Sequence, residues 1–515
     1  MSISQRFPIF PTSGWQFLWL LAQWWRRLWE RWRRPPAHRS HLTDKRRGNL
    51  ALLAKAEPES LPSFVRESQA VQHYLSLLGP LAWSNFPERS SLRLWPGPQP
   101  LPRAIYAAIF LIKIDKGFTT MPKVRRYLLE QPALVWLLGF PLVPSTAYTW
   151  GFDIAASLPT HRHMSRVLRE LDRAQVSFLL TSVVQLLADA LPADLAFGQE
   201  ISLDTKHILA WVRENNPKAQ MADRFDKSRQ PKGDPDCKLG CKQRENKLVR
   251  SKESATTADA TPTTEAIPAR HASVGIYYWG YASGIVATKI DEWGEFVLAE
   301  FTQTFDKGDQ SYFFPLMAQT EQNLGYKPQS GALDAAFDAF YVYAYFHEAG
   351  GMAAVPWSNR GEKKSFSAEG LPLCAAGFAM PLRSTFQNRS HTLVAHECAR
   401  FACPLLFPAA TGESCPVDHA NWPKGGCLTT LPTSPGNRIR HELDRERAAY
   451  KELYKQRTAT ERINSQALEL GIERPKLRNQ RSISNHNTLL YVLIDLRALQ
   501  RVQAKTAAMA AQAAA

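Results

Sequence analysis

Two short stretches of sequence decide the fold, Ile201-Ser202-Leu203-Asp204 and Gly331-Ala332-Leu333-Asp334. Each is an apolar run that ends on an aspartate, which is typical of a buried strand whose last residue emerges at the edge of a sheet. The aspartates lie 334 − 204 = 130 residues apart, a spacing that is not diagnostic but lets the two acids meet across adjacent strands. We predict that Asp204 and Asp334 end two strands of one sheet.

Strand and helix signals alternate around these aspartates. Three runs rich in Val, Ile and aromatic residues, separated by Gly-containing turns, predict a meander: Val274–Tyr281, Ile285–Ile290 and Phe296–Thr302. The remaining predicted elements are helices over Phe313–Asn323 and Phe340–His347 and a strand over Met352–Val355. This order resembles the ribonuclease H-like fold, an α/β architecture with a mixed five-stranded sheet and flanking helices.

Composition divides the chain into five regions. Apolar residues at three- and four-residue spacing predict a helical N-terminal domain, which either binds DNA or is an ordinary bundle. The regions are a basic Trp-rich leader (1–47), the helical region (70–190), the first part of the sheet domain (195–357) with a basic, low-complexity loop (213–270), a Cys-rich insertion (358–435) and a helical remainder (436–505).

The charge balance favours a polyanionic partner. The chain has 515 residues and 63 − 47 = +16 formal charges, which indicates nucleic acid before an anionic membrane surface, although many basic proteins are merely soluble. The leader fits either surface, or a solvated segment without a defined role. Its apolar run Trp15–Trp25 is too short for a membrane span and has the wrong charge order for a signal peptide. We therefore expect a cytoplasmic protein that requires no membrane.

A third acidic residue stands in a spaced motif near the C-terminus, Tyr454-x2-Arg457-x3-Glu461. On a helix these spacings place the three side chains along one face. The motif resembles the Y-x2-R-x3-E-x6-K signature of bacterial insertion-sequence DDE transposases, except that Leu468 stands at the last position. The resemblance runs in order over residues 75–505 and includes Leu158–His163, Leu203–Lys206, Leu333–Asp338 and His486–Leu490.

The resemblance implies an enzyme that cuts the terminal inverted repeats of its own element and joins the 3′-OH ends to target DNA. It implies that Asp204, Asp334 and Glu461 hold two Mg²⁺ or Mn²⁺ ions, that Tyr454 and Arg457 approach DNA phosphates, and that a homodimer acts in a synaptic complex in the bacterial nucleoid. Hard divalent cations prefer oxygen ligands, and a metal pair suits phosphodiester attack. A hydrolytic nuclease on the same fold and a non-catalytic DNA-binding relic are the alternatives.

Each acidic residue has a rival. Asp204 has the alternative role of a strand-end cap, and Asp338 lies one helical turn after Asp334. Solvated glutamates are common on helices, and the rivals of Glu461 are Glu442, Glu446 and Glu452.

The insertion holds a cluster of candidate zinc ligands. Its Cys and His residues are Cys374, Cys398, Cys403, Cys415, Cys427, His391, His396 and His419. Four thiolates form a tetrahedral zinc site that stabilises a loop-rich module, and the set we predict is Cys374, Cys403, Cys415 and Cys427. No CxxC pair occurs, so the alternative is that these cysteines are buried, inert thiols that bind no metal. The same alternative applies to Cys237 and Cys241.

Overall fold

A computed structural model describes residues 61–88, 101–243, 247–249, 270–272, 275–358, 362–390 and 393–514. The Trp-rich leader and most of the low-complexity stretch 251–270 lie outside these residues. Among the described residues, no helix is long and apolar enough to cross a membrane.

Helices make up most of the regions that flank the sheet. In chain order they are α1 (Ser63–Arg66), α2 (Gln69–Leu78), α3 (Arg103–Asp115), α4 (Met121–Leu129), α5 (Pro132–Leu137), α6 (Ile154–Ser157), α7 (His161–Glu170), α8 (Arg173–Ala190), α9 (Phe313–Leu324), α10 (Phe340–Glu348), α11 (Pro435–Glu442), α12 (Ala448–Tyr454), α13 (Arg457–Glu469) and α14 (Gln480–Ala514). Helix α9 ends at Gly325, whose positive φ of 80° favours glycine.

The strands form one large sheet and several small ones. They are β1 (Val143–Pro144), β2 (Phe152–Asp153), β3 (Glu200–Leu209), β4 (Lys238–Gln243), β5 (Lys247–Val249), β6 (Arg270–Ala272), β7 (Gly275–Ile290), β8 (Gly294–Thr304), β9 (Ser330–Leu333), β10 (Ala353–Ala354), β11 (Leu382–Asn388), β12 (His396–Ala402) and β13 (Leu428–Pro432).

The large sheet is mixed and has β3 near its centre. Strand β7 pairs with β3 and with β8 in antiparallel fashion, whereas β9 pairs with β3, and β10 with β9, in parallel. The order is therefore β8-β7-β3-β9-β10, with helices packed on it. The predicted α/β class with a mixed sheet and flanking helices is confirmed.

The sheet has a sixth strand that the sequence analysis assigned to a loop. Strand β4 lies inside the predicted loop 213–270 and pairs with the first six residues of β7. Its lysines, Lys238 and Lys242, made the segment resemble the basic residues around it, although they alternate with Leu239 and Cys241 as a strand requires. The prediction of a loop was wrong for these six residues and for the three residues of β5.

Strand β7 is continuous where two strands were predicted. We assigned a turn between Tyr281 and Ile285, but residues 275–290 form one strand. A Cβ atom at Gly284 would lie 2.5 Å from the ring of Tyr312, so this glycine makes room for a packed aromatic ring instead of a turn. The meander consists of β3, β7 and β8.

One hydrophobic core joins the N-terminal helices to the sheet. It contains buried residues from Val65 to Val502, and α14 lies at its centre, packed against α8 and β8. The part of α14 over residues 489–502 is almost wholly buried, and up to residue 505 this helix lies within the predicted helical remainder of the chain. The insertion contributes a separate antiparallel sheet in the order β11-β12-β13.

Candidate active site

Asp204 and Asp334 lie side by side on adjacent parallel strands. Leu203 of β3 is in register with Leu333 of β9, so each aspartate follows a paired residue on its own strand. Both aspartates are half-buried. Asp334 also caps the 3₁₀ helix Ala335–Phe337, because its Oδ1 accepts the Ala336 N–H at 2.9 Å. Asp334 follows the last residue of β9 as predicted, whereas β3 continues past Asp204 to Leu209, so the prediction of a strand end at Asp204 was wrong. The two carboxylates are still neighbours, because the parallel pairing of β3 with β9 stops at Leu203 and Leu333.

The electrostatics of Asp204 show that a negative charge is costly at this position. Burial raises the pKa of its carboxyl to about 6, and the neighbouring Asp334 and Asp309 add to the increase. The Thr205 N–H and the Arg457 guanidinium act in the opposite direction but do not offset the burial. Asn464 of α13 donates its Nδ2–H to Asp204 Oδ2 at 3.0 Å and fixes the carboxylate orientation. A further cation near Asp204 would therefore be stabilised.

Arg457 is the cation at this site. Burial alone would lower the pKa of its guanidinium, but the phenol of Tyr454 and the carboxylates of Asp204, Asp334 and Glu461 raise it. Its Nη2 lies 3.4 Å from Glu461 Oε1, and its guanidinium lies 5.9 Å from the centre of the Tyr454 ring. The three motif residues and the two aspartates therefore share one electrostatic environment.

Glu461 lies at the solvent side of this group. Its side chain is 59% exposed and is bound to Arg457. In the part of the chain that the structure describes, no three His, Cys, Asp or Glu side chains converge closely enough to hold a metal ion. Two of the three predicted ligands are thus adjacent, and the third pairs with Arg457, on which all three carboxylates act.

The Tyr454 and Arg457 motif does not stand on one continuous helix, as the spacing predicted. Helix α12 ends at Tyr454 and α13 begins at Arg457. The N–H groups of Lys455 and Gln456 bond to carbonyls three residues earlier, which tightens the chain into a 3₁₀-like turn. Both residues keep right-handed helical angles, so the chain continues in nearly the same direction. Tyr454 stacks on Tyr450 at 5.8 Å and stays beside Arg457.

Asp309 is an acidic residue near the site that we did not predict from the sequence. It begins the 3₁₀ helix Asp309–Tyr312, and its Oδ1 accepts the Thr205 hydroxyl at 2.9 Å. It also raises the pKa of Asp204. The signal in the sequence was weak, because Asp309 follows a Gly in a turn after β8, where solvated aspartates are common.

Asp338 is excluded as a rival of Asp334 by its hydrogen bonds. Its side chain is fully buried and accepts both Nε–H and Nη2–H of Arg440, at 2.9 and 2.8 Å. It also accepts from the Tyr343 hydroxyl and from the Ser358 N–H and hydroxyl. No acceptor position is left for a metal.

The rivals of Glu461 make ordinary surface ion pairs. Glu442, Glu446 and Glu452 bond to Arg438, Lys451 and Lys455 respectively, and all three glutamates are exposed. None of the three is among the main groups that shift the pKa of Asp204 or the pKa of Arg457.

Three of the four predicted zinc ligands are neighbours in the insertion. Cys427 is close to Cys403 and Cys374, and burial together with these two thiols raises the pKa of Cys427 to about 12. A Cβ at Gly426 would lie 2.7 Å from Cys403 Cβ, so this glycine allows the chain to approach the cysteine. Cys415 is half-exposed, and all seven cysteines are free thiols. The thiols approach one another without the convergence that a metal site needs, and zinc stays a prediction.

If zinc binds here, purified protein should contain about one zinc per chain. Cys403→Ser should then lower both the zinc content and the melting temperature, because a thiolate ligand and the bound metal stabilise the insertion. Metal analysis and thermal melting measure these effects, with Cys241→Ser, an exposed thiol outside the insertion, as the control. A zinc-free preparation whose melting is unaffected by added zinc would contradict the prediction.

No protein-family model and no curated protein matches this sequence.

Proposed function

We propose that this chain is a DNA transposase with a ribonuclease H-like catalytic core. It would cut the ends of its own mobile element and join the 3′-OH ends to target DNA by metal-dependent phosphoryl transfer. The observation that carries the proposal is the position of Asp204 and Asp334 directly after the last paired residues of two adjacent parallel strands, next to the Tyr454, Arg457 and Glu461 motif.

The sheet order supports the ribonuclease H-like assignment. The resemblance implies three antiparallel strands followed by two further strands in one mixed sheet. The order β8-β7-β3-β9-β10, with β9 parallel to β3 and β10 parallel to β9, has this form. The first strand then lies in the middle of the sheet, with β7 on one side of it and β9 on the other. Strand β4 and the cysteine-rich sheet are additions to that plan.

The donor set fits a hard divalent cation. Asp204 and Asp334 supply carboxylate oxygens. The pKa of Asp204 is raised because the groups around it do not offset the burial of its negative charge. Glu461 would join them after its side chain leaves Arg457. A bound pair of divalent ions activates the attacking oxygen and neutralises the leaving oxygen in such reactions.

The remaining site residues would bind and orient DNA. Arg457, released from Glu461, offers a planar guanidinium that matches a phosphate, and Tyr454 lies beside it. Asn464 holds Asp204 in its rotamer. The excess of positive charge favours binding to DNA, and α7 adds two exposed arginine side chains, Arg162 and Arg166. A dimer that synapses two ends, and a place in the nucleoid, follow only from the resemblance.

Divalent cations should stabilise the protein through Asp204. The folded pKa of Asp204 is raised from 3.8 to about 6, so the folded state holds the extra proton and loses stability as the pH rises from 4 to 6. At pH 7, Mg²⁺ should therefore raise the melting temperature of the wild type. Asp204→Asn should melt higher than the wild type without metal and should gain less from Mg²⁺.

Thermal melting with Mg²⁺, and with Na⁺ at equal ionic strength, measures this effect. Glu446→Gln is the matched control, because it removes one exposed carboxylate away from the site. An equal Mg²⁺ response in the wild type and Asp204→Asn would show that no divalent ion binds at Asp204. The function itself is tested by joining of 3′-OH DNA ends to a second duplex.

A further inference from the structure

A cavity of about 370 Å³ lies where the N-terminal helices meet the end of α13. Its walls come from the end of α3 and the turn after it, from the last residues of α13 with the following loop, and from α14. Lys113 and His486 are the buried polar side chains of the lining. The cavity is separate from Asp204 and Asp334, which do not line it.

Lys113 is a buried cation that the described fold leaves without a partner. Its side chain lies on α3 and is 4% exposed, and among the described residues it makes no hydrogen bond and no ion pair. Burial lowers the pKa of its ammonium to about 8, which leaves it mainly charged at pH 7. His486 is buried beside it and is neutral, since burial and Lys113 both lower its pKa. A buried charge without a partner is costly and favours a bound counter-ion.

The charged side chains at the mouth of the cavity nearly balance. Arg474 and Lys476 lie there with Glu469 and Glu473, and Arg474 Nε is 4.0 Å from a Glu473 carboxylate oxygen. With these four cancelling in formal charge, Lys113 leaves the lining with a net charge of about +1. The cavity therefore suits an anion that is small enough to reach its floor.

We infer that this cavity binds a phosphate group, with the Lys113 ammonium as its counter-ion. A DNA backbone phosphate and a free phosphate or phosphomonoester share this chemistry. The Lys113 ammonium has three N–H donors, which phosphate oxygens can accept, and it binds phosphate as a compact point charge.

The position of the cavity favours the DNA backbone as the source of the phosphate, and this part rests on the proposed function. Leu468, which is 47% exposed, lines the cavity and lies seven residues after Glu461 on α13. Seven residues are two helical turns, so both side chains lie on the same face about 10 Å apart. A DNA strand bound at the carboxylates and running along this face would bring a neighbouring phosphate to Lys113.

The direct test compares thermal melting in phosphate and in chloride at equal ionic strength and pH 7. Phosphate should raise the melting temperature of the wild type by about 2–4 °C more than that of Lys113→Met, in a saturable manner. Comparison with the variant removes the general stabilisation by phosphate salts, which acts on any protein. Lys505→Met, which removes one positive charge on the far part of α14, is the control and should keep the wild-type response.

Lys113→Met should fold, because it replaces a buried charge by an apolar side chain of similar length. If it does not, Lys476→Gln at the mouth provides the same comparison, with at least a twofold weaker apparent affinity for phosphate expected. Equal phosphate responses in the wild type and in whichever of these variants folds would overturn the inference.

Binding to duplex DNA then separates the two sources. If the backbone fills the cavity, Lys113→Met should weaken DNA binding and reduce its salt slope by about one. DNA binding that is unchanged, together with a phosphate response that is lost in the variant, assigns the cavity to a free phosphate or phosphomonoester. Failure of strand joining by the wild type would contradict the proposed function and leave the phosphate response in place.

Discussion

Asp204→Asn, Asp334→Asn and Glu461→Gln should each lower DNA end cleavage and strand transfer by several orders of magnitude. Each substitution keeps the shape of the side chain and removes the charge that would hold a divalent cation, and a site that lacks one ligand cannot position both metals. The structure adds a reason for Asp204, because Asn464 donates a hydrogen bond to its Oδ2 and fixes the orientation of the carboxylate. Cleavage and joining of labelled DNA ends with Mg²⁺ or Mn²⁺ measure the loss.

Glu452→Gln is the matched control for Glu461→Gln. Glu452 is exposed on α12 and binds only Lys455 among the described residues, so this variant should keep most of the activity. DNA binding should survive in the three site variants, since a negative charge that faces phosphate has been removed. If Glu452 proves essential and Glu461 dispensable, the assignment of Glu461 as the third carboxylate is wrong. Intact strand transfer in all three site variants would contradict the DDE assignment itself.

Asp338→Ala should lower the free energy of unfolding by about 3–5 kcal/mol, because it leaves Arg440 without its buried partner. Asp338 accepts from Arg440, Tyr343 and Ser358, and it joins α11, at the return from the cysteine-rich insertion, to the sheet domain. Arg440 also lies 4.2 Å from the ring of Trp357. Denaturant unfolding at pH 7 measures the change.

Acid should remove the same stabilisation. Burial alone would raise the pKa of Asp338, but Arg440, Ser358 and Tyr343 hold it below its ordinary value. The contribution is therefore complete above pH 4 and is lost as the pH falls through the lower folded pKa. Glu442→Ala breaks an exposed pair with Arg438 and should cost less than about 1 kcal/mol. Equal losses in the two variants would show that the buried ion pair has no special role.

The features that depend on local patterns could be predicted from the sequence. An apolar run that ends on an aspartate located both paired strands, although only Asp334 follows a strand end, and the helix predicted over Phe313–Asn323 is α9. The spacing of Tyr454, Arg457 and Glu461 identified side chains that share an environment with both aspartates, although a 3₁₀-like turn separates the first of them from α13.

Features that depend on distant contacts could not be predicted. Gly284 has the sequence appearance of a turn, and only the packing of Tyr312 against it shows why β7 continues. Strand β4 exists because β7 extends beyond β3 and offers it an edge. Asp309 reaches the site through Thr205, more than a hundred residues earlier in the chain, and no local pattern records that contact.

The most direct test of the central claim uses the DNA that flanks the coding region of this chain. Labelled duplexes that carry each flank, ending in a free 3′-OH, are incubated with the full-length protein, a circular target DNA and Mg²⁺. We expect covalent joining of the labelled 3′ ends to the target, which requires a divalent cation and is absent in Asp204→Asn. Cleavage or hydrolysis without joining would indicate a nuclease on this fold. Binding of the flanks without any divalent-dependent cleavage or joining would contradict the assignment of Asp204, Asp334 and Glu461 as catalytic carboxylates.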